Sequence, residues 1–174
     1  MKKILALTLV LFATASLVNA QADKSTRPSP PATATGKVGD ANITITYSSP
    51  SVKQRKIWGE LVPYNKAWRA GANEATIFET DKNIKVAGKD LPAGKYTLFA
   101  LPGENEWQMM FNSETGQWGI KRTGEANFDP SKNVLTVSAK PAKSSSMNEK
   151  LAYEVNDKGI VLKWENVEVP VPIK

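Results

Sequence analysis

The sequence predicts an all-β fold, an antiparallel β-sandwich or jelly-roll-like barrel, on three observations. Beyond residue 38, apolar residues recur at every second position in short runs. Turns rich in Gly, Pro, Asn and Asp separate these runs at regular spacing. After residue 20 no segment sustains a 3.6-residue apolar period, so at most a short helix is expected.

The elements follow in order. Ile43, Ile45 and Tyr47 alternate with Asn42, Thr44 and Thr46, the pattern of a half-buried strand. Residues 75–80 and 83–86 read as two short strands about Asp81-Lys82. Leu91-Pro92-Ala93-Gly94 is a turn, because Pro fixes one φ and Gly permits a positive one. Residues 95–101 form a strand closed by Pro102-Gly103, and residues 106–111 form the next. Strands are also expected at 134–138, 151–155 and 160–164, and in the alternation of Val167, Val169 and Val171. Asp157-Lys158-Gly159 links two of them as a hairpin. Residues 59–68 are the one candidate for a short helix or 3-10 turn, and residues 140–150 read as a polar loop.

The chain divides into three parts: residues 1–20, 21–36 and 37–174. In the first, Lys2 and Lys3 precede an uncharged apolar stretch, and Val18-Asn19-Ala20 places small residues around a cut before Gln21. This pattern predicts a cleaved signal peptide. Its apolar run is too short and too rich in Ala, Thr and Ser to span a bilayer, which takes about 20 apolar residues. With no Cys after the cut, a lipid anchor on an N-terminal cysteine is excluded. The expected product is exported and soluble, in the periplasm or outside the cell, with no stable membrane anchor. Removing twenty residues and two lysines leaves 154 residues with a net charge of +4. A surplus that small, without a long Lys/Arg run, argues against a nucleic-acid partner. Residues 21–36 hold Ser, Thr, Pro and Ala without one large apolar side chain, so a disordered or extended lead is expected. Residues 37–174 would form a single sandwich domain.

The chain has no His and no Cys. Ser-His-Asp and Cys-His catalysis, disulfides, thiol redox chemistry and His- or Cys-ligated metals are therefore excluded. Asp81, Asn83 and Asp90 lack the spacing and the final Glu of an EF-hand, and Gly94-Lys95 fits no phosphate loop. Neither metal nor cofactor is expected, and no catalytic residue is assigned. Glu60, Glu74 and Glu79 could supply only a glycosidase-like carboxylate pair. Trp107, Trp118 and Trp164 read as core or end-cap aromatics.

The segment 47–76 breaks the strand pattern, and connections that long are often functional when ordered. It carries Arg55, Trp58, Trp68, Arg69, Asn73 and Glu74. A flat apolar face beside a forked donor suits a small polar ligand, a glycan or a peptide. Trp58 and Trp68 would stack, Arg69 would donate, and Glu74 would orient Arg69 or accept from the ligand. In the structural alternative, Arg69 and Glu74 form a buried pair, Trp58 and Trp68 plug the core, and Asn73 caps a turn.

The blocks Tyr47-Ser48-Ser49-Pro50-Ser51-Val52, Ile57-Trp58-Gly59-Glu60-Leu61-Val62-Pro63-Tyr64 and Trp68-Arg69-Ala70-Gly71-Ala72-Asn73-Glu74-Ala75-Thr76 resemble domain-of-unknown-function family 2911. Ala93-Gly94-Lys95-Tyr96-Thr97-Leu98 and the segments around Trp164 and Val169 continue the likeness from about residue 29 to the C-terminus. The resemblance implies an exported bacterial β-sandwich without an assigned activity. The chain departs from the family where Ser49 replaces Arg, and where Gln54 and Asn65 replace Gly. A non-enzymatic binding module is the leading expectation. A carboxylate-based hydrolase, or an assembly module whose lead contacts an envelope protein, are the alternatives.

Overall fold

The computed structural model describes residues 23–174. Ten strands are present among the described residues: β1 (Pro31–Val38), β2 (Ala41–Ser48), β3 (Ile77–Thr80), β4 (Ile84–Val86), β5 (Lys89–Leu91), β6 (Gly94–Leu101), β7 (Trp107–Asn112), β8 (Asn133–Ala139), β9 (Ala142–Asn156) and β10 (Gly159–Pro172). The described helical elements are two 3-10 turns, Lys24–Thr26 and Pro130–Lys132. Six strands form one sheet in the order β1-β2-β3-β6-β7-β8, while β9-β10 and β4-β5 form two smaller ones. Every strand pair is antiparallel, so the fold is all-β as the alternation predicts.

The core lies between the large sheet and the β9-β10 hairpin. Ile43, Ile45, Phe78, Leu98, Met109 and Phe111 from the sheet join Leu151, Ile160, Leu162, Trp164 and Val169 from the hairpin in one buried cluster. Period-two burial accounts for this, because alternate residues of each strand face the same side. On the other face of β6 and β7, Phe99 and Met110 pack with Ala75, under Ala67, Ala126 and Phe128 from the long connections.

Four expectations need correction. The strand β1 starts at Pro31, so the boundary expected at 36/37 falls inside a strand. Its partly exposed Pro, Ala, Thr and Gly residues suit an edge position, where a proline at the start removes no needed donor. Residues 142–150 are not a loop but the first part of β9, paired through irregular register with β10. Lys89–Leu91 forms strand β5 where no strand was expected, and the expected turn Leu91–Gly94 joins it to β6. Residues 59–68 contain turns and isolated bridges instead of a helix; Gly59 (φ 84°) and Asn65 (φ 58°) are left-handed, and Pro63 lies between them.

Positive φ shapes the turn after Val52. Lys53 (φ 49°) and Gln54 (φ 57°) form a type I′ turn closed by Arg55 N–H donating to Val52 O at 3.1 Å. Gln54 and Asn65 are both left-handed. A side chain such as Gln carries a left-handed penalty of roughly 1–2 kcal/mol. Glycine also loses more entropy on folding, which offsets part of the gain. Gln54→Gly is therefore expected to raise stability by about 1 kcal/mol, read as a higher urea midpoint. A lower midpoint would show that the Gln54 side chain contributes more than its backbone costs.

Candidate functional site

The connection after β2 is stitched to the sheet at several points. Trp68 exchanges both backbone hydrogen bonds with Ala100 of β6, at 2.7 and 2.9 Å. Val52 N–H donates to Glu149 O, and Leu151 N–H donates to Pro50 O, tying the segment to β9. These ties carry Trp58 and Trp68 into the end of the sandwich, where they meet Trp107 of β7 and Trp164 of β10. Trp58 lies edge-on to the other three, with centroids 4.9–5.8 Å apart, and Trp68 stacks on Trp164 at 5.9 Å. Both segment tryptophans are buried, as are Trp107 and Trp164. Trp118 is different: 48% exposed, it lies in the β7–β8 connection and is bridged through its backbone to Glu74.

Arg69 projects from this aromatic plug into the wall of a cavity of about 270 Å³. Ser29, Pro50, Arg55, Leu61, Val62, Trp68, Gly71, Ala72 and Trp164 complete the wall. Among the described residues Arg69 has no acid partner, and its Nε is buried without an acceptor. Burial without a counter-charge pushes the guanidinium below its ordinary pKa. The Nε1 groups of Trp58 and Trp164 are likewise buried and unpartnered. The Arg69 stem runs over Gly119, where an added Cβ would stand 2.1 Å from Arg69 Cδ. Larger hollows occur elsewhere, about 520 Å³ beside Pro170 and Pro172 and about 610 Å³ beside Lys66 and Phe128. Neither of them is lined by a residue with a buried orphan donor.

The other candidates have separate tasks. Arg55 also lines the cavity, but its Nε and Nη2 donate to Val52 O and Ser51 O, which holds its guanidinium against its own turn. Asn73 (φ 55°) donates through Nδ2 to Ser29 O at 2.9 Å, and its own carbonyl accepts from Gly119 N–H at 3.0 Å. Glu74 does not pair with Arg69. It accepts two hydrogen bonds of 3.0 Å from Arg27 and lies 3.0 Å from Lys24 Nζ. The expected Arg69–Glu74 pair fails because the residues before β1 supply closer cations. Asn73 and Glu74 thus hold an ordered strap, residues 24–30, which brings Ser29 to the cavity wall.

Glu74 has a readable pH signature. Partial burial alone would raise its pKa, but the Lys24 hydrogen bond, its own backbone N–H and Arg27 outweigh this and lower it from 4.5 to about 2. A depressed carboxylate pKa stabilises the fold above the unfolded value, and this contribution is lost as pH falls through the folded value. The window is therefore pH 4.5 down to about 2. The carboxylate is more than one third exposed, so water screens the interaction to on the order of 1 kcal/mol. Urea denaturation should show Glu74→Gln weaker than the parent at neutral pH, with the gap closing toward pH 2. A gap independent of pH would remove the charge argument.

The carboxylates considered for hydrolysis do not converge. Glu60 pairs with Lys56 at 3.1 Å, Glu79 with Lys95 at 3.0 Å and Glu74 with the strap, and none of the three lines the Arg69 cavity. Among the described residues no group of three or more acids is placed to hold a metal, and no helix is long and apolar enough to cross a membrane. The expected signal peptide, residues 1–20, lies outside the described residues.

Sequence reasoning missed Trp164, Ser29 and Gly119 as site residues. Trp164 and Gly119 come from distant segments that only the packing brings together. The signal for the strap was present as Lys24 and Arg27, two cations in an otherwise nearly uncharged lead.

No curated protein and no solved structure matches the chain. A family model described as "Protein of unknown function (DUF2911)" matches residues 29–173, from the strap's cavity-lining serine to the residue after the last strand. The chain belongs to that family.

Proposed function

We propose that this chain is an exported, non-catalytic binding protein whose site is the Arg69 cavity and whose ligand is small and polar. The observation that carries the reading is the partly buried Arg69 guanidinium, which has no acceptor among the described residues and faces a cavity floored by Trp68 and Trp164. An uncompensated buried cation weakens a fold, and a site adapted for binding tolerates such a cost where a ligand completes it. The basic, apolar and small-residue segments at 1–20 support export.

The test is a thermal-shift panel of amino acids, dipeptides, sugars and organic acids, run on the parent chain and on Arg69→Met. Met keeps the apolar stem and removes the guanidinium. At least one compound should raise the melting temperature of the parent and leave the variant unmoved, while the unliganded variant melts no lower than the parent. Compounds that shift both equally, or none that shift the parent, would refute the site. A variant destabilised by more than about 1 kcal/mol would instead make Arg69 a structural residue.

A further inference from the structure

Resting on the reading of the Arg69 cavity as a binding site, we infer the class of its ligand: a monocarboxylate, with its acid group on Arg69 and an apolar body against Trp68, Leu61 and Val62. The cavity wall holds donors that have no acceptor. Ser29 O accepts from Asn73, Pro50 O from Leu151, Val62 O from Gly59 and Trp68 O from Ala100, each at 2.9 Å. Donors are left over: Arg69 Nε and Trp164 Nε1 have no acceptor, nor has Trp58 Nε1 behind them. Arginine and tryptophan side chains only donate, and native structures seldom leave buried donors unmet. A sugar brings hydroxyl donors as well as acceptors, and the unmatched guanidinium and indole groups can satisfy only its acceptors. An ionised carboxylate only accepts.

Charge and size narrow the class further. Arg55 spends Nε and Nη2 on its own turn, and no lysine lines the cavity, so among the described residues Arg69 is the one cation of the wall without any acceptor. A single negative charge matches it better than a phosphate dianion, and a guanidinium meets a carboxylate edge to edge. At about 30 Å³ for each water, 270 Å³ corresponds to about nine waters, enough for an acid group and several carbons. Leu61, 45% exposed at the rim, offers apolar surface to such a body. Gly119 keeps the Arg69 stem in position, because any Cβ there would displace it. The carboxylate could belong to a free acid or to a peptide C-terminus, which share this chemistry.

The experiment follows the indole N–H signals of the intact chain by NMR, with the Trp164 signal assigned through Trp164→Phe. The probes are isovalerate, its neutral isostere isovaleramide, inorganic phosphate, and a short leucine-ended peptide as its acid and its C-terminal amide. Isovalerate should move the Trp164 indole signal downfield and bind roughly tenfold or more tighter than the amide. Arg69→Met and Gly119→Ala should each lose at least about tenfold in isovalerate affinity while keeping the fold's spectrum. A peptide acid that binds better than isovalerate assigns chain ends as the source, and the reverse order assigns free acids. Equal, Arg69-dependent binding of acid and amide would overturn the carboxylate class and leave the site standing. Phosphate binding tighter than isovalerate would overturn the monocarboxylate. Silence from all five probes sinks the class, and the site falls with it only if the thermal-shift panel is silent as well.

Discussion

Trp164→Ala should lower stability by about 4 kcal/mol and the melting temperature by roughly 8–16 °C for a domain of this size. Trp164 is 1% exposed and joins the hairpin sheet to the segment tryptophans, meeting Trp58 at 5.7 Å and Trp68 at 5.9 Å. Truncation leaves a void that three rigid indoles cannot fill by rotating, so the cavity cost adds to the lost apolar burial. Trp164→Phe separates the two contributions of the indole. It keeps an aromatic ring and removes an N–H that has no partner, so no hydrogen bond is forfeited. It should cost no more than about 1.5 kcal/mol, a conservative change of shape in a packed site. The half-exposed Trp118 serves as the control, with Trp118→Ala within about 0.5 kcal/mol of the parent. A loss below about 1.5 kcal/mol for Trp164→Ala would show that the four-tryptophan plug is not a stability centre.

The alternating strands were legible because one-sided burial imposes a period of two, as Ile43, Ile45 and Tyr47 show. Two strands lacked that signal for different reasons. In β1 the apolar positions are small: an added Cβ at Gly36 would stand 2.8 Å from Val155 Cβ of β9, so bulk is excluded where the strap side of the sheet passes under the hairpin. In the first part of β9 polar side chains take over the pairing. Asn148 donates to Ser144 Oγ and to Glu165 O, and Ser144 donates to Glu168. Such contacts have no period. They accompany the left-handed Glu165 (φ 56°), where the register with β10 shifts. Within the site, Trp68 and Arg69 were legible as residue types, whereas the partner of Glu74 was not. Arg27 lies 47 residues away, in a segment whose composition argued for disorder.

Gly71→Ala should destabilise by about 2–3 kcal/mol, although the glycine has an ordinary backbone conformation and only a methyl group is added. The added Cβ would stand 2.7 Å from Thr76 Oγ1 and 3.2 Å from Ser48 O. Both neighbours are fixed. Thr76 is fully buried and donates to Ala70 O at 3.0 Å, and Ser48 O accepts from Ala72 N–H at 3.2 Å. Ala70 O also accepts from Tyr153 O–H of β9, and Ala70 itself is left-handed at φ 51°. This strained corner persists because those bonds over-determine it, and it sets the direction of Arg69. Overpacking costs typically 1–3 kcal/mol, and weakening the Thr76 hydrogen bond adds about 1 kcal/mol. The Gly71 and Thr76 changes should be coupled through this contact. Thr76→Ala removes the clashing hydroxyl, so the double variant should cost at least about 1 kcal/mol less than the sum of the single changes. Additive costs would mean that the methyl group meets the Ser48 carbonyl first, and that the loop corner is positioned by backbone approach and not by Thr76.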